Sequence, residues 1–92
     1  MTTNTDTLTL TEMYITRRYR LIARAQRDIN WDKITKRQHT ATVKRLTEEV
    51  TTALYIASDY IGHEAASRLD HECAKRGKLL EQQEYQDFLA TR

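Results

Sequence analysis

TKRQHTATVKRLTEEVTTALYIASDYI, residues 35–61, decides the fold. Within it Val43, Leu46, Val50, Ala53, Leu54, Ala57, Tyr60 and Ile61 recur at threes and fours. That spacing gathers side chains on one face of an α-helix. Thr35 and Gln38 precede the stripe and match the capping box, in which each side chain satisfies an orphan amide of the other. A helix is therefore expected from Lys36 to Ile61, the longest in the chain and its spine. Gly62 follows as a left-handed cap or a kink.

Upstream, Thr9 and Glu12 repeat the capping-box pattern, and Leu8 and Met13 occupy the positions of a hydrophobic staple. A first helix is expected from Leu10 to Ile29, about 30 Å long at 1.5 Å per residue. Residues 1–8 read as a flexible N-terminal tail. Trp31 and Ile34 are expected to plug the corner at 30–34. Downstream, a helix from His63 to Arg76 presents a narrow inner face of Ala65, Ala66, Leu69 and Cys73. Gly77, directly after Lys75 and Arg76, reads as a stop signal. A short last helix is expected near Gln82–Ala90, tucking Tyr85, Phe88 and Leu89 against the others. The absence of proline and the presence of only two glycines favour long helices with short corners. The expected fold is all-α, a small antiparallel bundle of three main helices plus a short C-terminal helix, with residues 9–92 forming one domain.

The net charge of +2 hides an asymmetry. Residues 1–46 hold ten Lys/Arg against four Asp/Glu, whereas residues 47–92 hold five against nine. Either the halves neutralise each other within the fold or they face different partners. Cys73 is the lone cysteine, which excludes an intrachain disulfide and suggests a reducing compartment. The first residues lack the charged and apolar regions of a signal peptide, and no apolar run approaches the ~20 residues that span a bilayer. The expected localisation is cytoplasmic, with no membrane contact.

Arg17, Arg20, Arg24 and Arg27 are spaced by three, four and three residues. On a helix they fall within roughly 80° of one another. Tyr14, Leu21, Ile22, Ala25 and Ile29 lie on the other side. Exposed helix charges usually offset one another at i,i+4, as Lys44–Glu48, Arg45–Glu49 and the run Glu64, Arg68, Glu72, Arg76 are spaced to do. In the arginine stripe only Arg24 has such an acid, Asp28. Three fates are open to the stripe: pairing across the bundle with Glu64, Asp70, Glu81, Glu84 or Asp87, a solvated face without a partner, or contact with an outside anion. Lys33, Lys36 and Arg37 add cations beside the start of the second helix, where the helix dipole disfavours them. With Trp31 as a stacking group they would suit phosphate or carboxylate. Tyr55 lies off the core stripe and is either covered or a second interface.

Reaction chemistry finds no support. His63 and His71 are about 12 Å apart along a helix, and His71 and Cys73 point to opposite sides, so no metal site is expected. Isolated glycines form no phosphate-cradling loop, and no nucleophile elbow surrounds Ser58 or Ser67. The expected function is non-enzymatic binding without a cofactor or small-molecule substrate. In the first form a helical inhibitor or adaptor docks its basic face on an acidic protein surface, within a nucleic-acid-processing complex. Stand-alone domains of this size are frequent among phage and mobile-element accessory genes, an analogy only. In the alternative, the same face binds DNA or RNA directly. A homodimer that sets one basic half on another acidic half is also open.

Overall fold

A computed structural model describes residues 4–91. Three helices account for nearly all of them: α1 (Asn4–Asn30), α2 (Lys36–Ile61) and α3 (His63–Ala90). The boundaries of α2 are those expected from its sequence. Thr35 Oγ1 accepts from the Gln38 amide at 3.1 Å, and Gln38 Oε1 accepts from the Thr35 amide at 2.8 Å. The helix ends on Gly62, whose amide donates to the Ser58 carbonyl at 2.9 Å. Gly62 itself has φ 87° and ψ 162°, a region open almost only to glycine. One residue thus turns the chain from α2 into α3, because the Gly62 carbonyl already accepts from the Ala66 amide.

Two boundaries differ from expectation. α1 starts at Asn4 instead of Leu10, so residues 4–8 of the expected tail are helical, while residues 1–3 lie outside the described residues. The Thr9–Glu12 pattern therefore lies inside a helix. No proline or glycine interrupts residues 4–9. At the other end α3 runs unbroken to Ala90, so residues 82–90 are its last turns and not a separate short helix.

Gly77 explains that continuity. A Cβ at this position would stand 2.8 Å from the Arg20 amide nitrogen, the Thr16 carbonyl oxygen and Tyr19 Cβ. Glycine is there because the backbones of α1 and α3 nearly touch. The stop reading fails because a glycine that admits a neighbouring helix looks the same in sequence as one that ends a helix.

The core is small and centred on Ile15, Val50 and Cys73, with Tyr19, Ala53, Leu54 and Leu69 packed around them. Leu46, Ala57 and Ala66 are also buried. Ile15 and Thr16 are buried in α1, whereas Tyr14 is exposed. Ala25 is buried on the expected side, and the buried arc of α1 extends from there to Thr16, because α3 closes in on the Thr16–Arg20 side. Tyr60, expected on the core stripe, is 72% exposed, and Phe88, expected to tuck in, is 60% exposed. Phe88 follows Tyr85, which already meets Trp31 just beyond the end of α1, so no more of α1 remains to cover it. Contacts between α1 and α3 rise in step, from Glu12 with Cys73 through Arg24 with Glu81 to Trp31 with Tyr85. These two helices therefore run in the same sense.

Candidate functional site

Gly77 sets the distance between α1 and α3, and one turn later the same face of α3 carries Glu81. Its side chain is only 4% exposed and lies under the arginine stripe. Arg27 Nη2 approaches Glu81 Oε1 at 2.7 Å, Arg24 Nε approaches it at 3.3 Å, and Arg20 Nε faces Oε2 at 3.6 Å. Glu84, one turn nearer the surface rim, accepts from Arg20 Nη2 and, at 2.9 Å, from Arg24 Nη2. A buried carboxylate is costly unless it is paired and hydrogen-bonded. Three guanidiniums supply the charge, and Oε1 carries the hydrogen bonding, whereas Oε2 and the facing Arg20 Nε are left without a hydrogen bond among the described residues. Hydrogen bonding to Glu81 holds the Arg24 guanidinium more firmly protonated, and Arg20 holds the Glu84 carboxyl below its ordinary value.

Three of the four stripe arginines are thus closed onto α3. Arg17 is exposed and makes no ion pair among the described residues. Glu81 was one of five acids that sequence alone left equivalent. The signal that singles it out is its i+4 spacing after Cys73 and Gly77, which continues the small-residue seam of α3.

The corner between α1 and α2 is arranged differently. Asp32 adopts φ 58°, and the Lys33 amide returns to the Asp28 carbonyl at 2.8 Å. That tight reversal throws Trp31 outward. The ring meets Tyr85 edge-on, at 5.3 Å and 84°, but remains 51% exposed instead of plugging the corner. Lys33 Nζ lies 5.8 Å from the Trp31 ring centroid, and the Arg27 guanidinium sits 4.8 Å from that of Tyr85. Lys33, Lys36 and Arg37 are all exposed, with no ion pair among the described residues. The Gln38 amide is taken by the Thr35 cap, so the α2 N-terminus offers fewer free amides than its sequence suggests.

A groove of about 450 Å3 leads away from this corner between α1 and α3. Ile22, Ala23 and Ala74 line it, and Arg27 and Tyr85 belong to both groove and corner. On its wall Tyr19 donates to Asp70 Oδ1, and burial together with that carboxylate pushes the phenol pKa well above the tyrosine range.

Cys73 is buried, and burial raises its thiol pKa, which makes it a poor nucleophile. Among the described residues no group of three His, Cys, Asp or Glu is placed to hold a metal ion, and no helix is long and apolar enough to cross a membrane. Tyr55 stands 74% exposed on the outer side of α2. No protein-family model, curated protein or solved structure matches this chain.

Proposed function

We propose that this chain is a non-enzymatic binding protein, a small helical adaptor or inhibitor that docks on an acidic surface of another protein. The docking element is the corner Trp31, Lys33, Lys36 and Arg37, with Arg17 as an outlying cation. One observation carries the reading: a half-exposed Trp31, with exposed Lys33 near its ring and exposed Lys36 and Arg37 following in the chain, packs on Tyr85 at the edge of a groove lined in part by Ile22, Ala23 and Ala74. A protein partner can fill both parts, giving carboxylates to the lysines and an apolar side chain to the groove. Arginine and tryptophan are also the residue types that most often dominate binding energy. With α1 and α3 running the same way, an α2 running against both would complete an antiparallel bundle. Such a frame holds the corner rigidly at one end.

The alternative reading, direct binding of DNA or RNA, uses the same cations with Trp31 stacking on a base. It is less favoured because Arg20, Arg24 and Arg27 already share two carboxylates. The test is quantitative affinity capture with wild-type protein, Lys33→Glu/Lys36→Glu and Arg17→Glu, with nuclease treatment of each sample. Nuclease-resistant capture of an acidic protein, lost in the corner variant, is expected. Capture that survives the corner reversal would overturn the assignment, and capture abolished by nuclease would establish the alternative.

A further inference from the structure

We infer that the outward face of α2 is a self-association surface that pairs antiparallel with α2 of a second copy. The evidence begins with charge order. Lys36, Arg37, Lys44 and Arg45 all fall in the first ten residues of α2, and Glu48, Glu49 and Asp59 all fall in the remainder. Its first turn holds no acid and its last turn no base. That order opposes the helix dipole at both ends, since cations stand near the positive N-terminus and acids towards the negative C-terminus. The chain does not correct this internally. At the end of α1 that adjoins the start of α2, Arg24 and Arg27 are closed onto Glu81 and Glu84, and Asp28 and Asp32 make no ion pair with the α2 cations among the described residues.

The same face carries charges that ignore their natural intrachain partners. Lys44 and Glu48 are spaced for an i,i+4 pair, as are Arg45 and Glu49. Instead Glu49 reaches across to Arg18 at 3.9 Å, and Lys44, Arg45 and Glu48 stand exposed with no ion pair among the described residues. Further along, Tyr55, Ile56 and Tyr60 present large apolar surface to solvent. Arg37, Ala41, Arg45, Glu48, Thr52, Tyr55 and Asp59 follow one another at threes and fours, so they share one stripe.

An antiparallel second copy resolves both features at once. About a two-fold axis between residues 45 and 48, Arg45 of each chain meets Glu48 of the other. Ala41 then faces Thr52, and Arg37 faces Ile56, with Tyr55 and Tyr60 beside it. The basic half of each helix covers the acidic and tyrosine-bearing half of the other, and the opposed helix dipole favours both sets of charges. Aliphatic stems of Arg37 and Gln38 cover the exposed rings, with the guanidinium free to lie over a tyrosine. Such a pairing closes on itself, because each chain supplies both halves. The surface lies beyond the corner proposed above and shares Lys36 and Arg37 with it.

Sedimentation of the full chain from about 5 to about 200 µM tests this, with Arg45→Glu, Arg45→Glu/Glu48→Arg and Tyr55→Ala alongside. Circular dichroism confirms that each variant remains helical; all three positions are exposed. Wild-type protein should pass from 10.8 kDa towards twice that mass as concentration rises. Arg45→Glu and Tyr55→Ala should each weaken dimerisation by about tenfold or more, and the charge-exchanged double variant should recover it. A wild-type protein that stays at 10.8 kDa throughout would overturn the inference. So would a dimer indifferent to Arg45→Glu, or a double variant no better than the single one.

Discussion

Gly77→Ala tests the packing that builds the arginine network, because two physical effects give opposite signs. In an exposed helix interior, replacing glycine by alanine stabilises by about 1 kcal/mol. Here the new Cβ would lie 2.8 Å from a backbone nitrogen, a backbone oxygen and the first side-chain carbon of Tyr19. None of those atoms can swing aside as the tip of a flexible side chain can. Reaching ordinary contact requires α1 and α3 to part by roughly 0.6 Å or more, and overpacking of this kind costs about 1–3 kcal/mol. Backbone contacts place the cost at the upper end, so the net loss should be about 2 kcal/mol after the propensity gain. For a chain of 92 residues that lowers Tm by roughly 8–16 °C. Urea and thermal unfolding followed at 222 nm measure it directly. A Gly77→Ala protein more stable than wild type would show that α1 and α3 do not meet here, and the burial of Glu81 would lose its cause.

Four further perturbations probe other parts. Gly62→Ala should cost about 1–3 kcal/mol through backbone strain alone, since its Cβ would meet nothing within 4 Å; an unchanged urea midpoint would contradict the one-residue turn. Glu81→Gln keeps the volume but removes the shared anion, and should cost about 2 kcal/mol, moderated because the guanidiniums stay partly hydrated. Acid should erode the same network. The folded Glu84 carboxyl is held below its ordinary value, so its contribution is complete above that value and is lost as pH falls through the depressed one. The Tm–pH profile of Glu84→Gln should lack that acid limb. At the alkaline end the Tyr19 phenol is raised in the folded state, so its contribution is full below the ordinary tyrosine pKa and declines as pH climbs above it. Ultraviolet titration should show one tyrosinate forming late in wild type and absent in Tyr19→Phe.

Much of the fold was legible in the chain because its signals were local. The Thr35–Gln38 box, the 3–4 stripe to Ile61 and Gly62 define α2 without reference to anything distant. The start of α1 was not legible, because the Thr9–Glu12 pattern is equally at home inside a helix. Gly77 misled for a related reason: its neighbours Lys75 and Arg76 resemble a helix end, while its true cause lies about 60 residues away in the backbone of Thr16 and Arg20. The arginine stripe was legible as geometry and ambiguous as chemistry. Its spacing fixes a shared face, but Glu81 is set apart from Glu64, Asp70, Glu84 and Asp87 only by its i+4 spacing after Cys73 and Gly77, which gains meaning once Gly77 is known to admit α1 rather than to end a helix. At the corner, Lys33, Lys36 and Arg37 were visible as cations in an unfavourable place. The outward Trp31 was not, because a lone tryptophan more often fills a core than faces solvent.

The most direct measurement is the salt dependence of binding to a labelled DNA duplex by fluorescence anisotropy. A ladder of arginines closed onto Glu81 and Glu84 should not add to the salt dependence, so wild-type protein should bind weakly or not at all, with a shallow slope. A slope of log affinity against log salt near −3.6, as about four neutralised phosphates would give, kept in Lys33→Glu/Lys36→Glu and lost in Arg20→Glu/Arg24→Glu, would mean that the stripe arginines are free to meet an outside anion and would contradict the account.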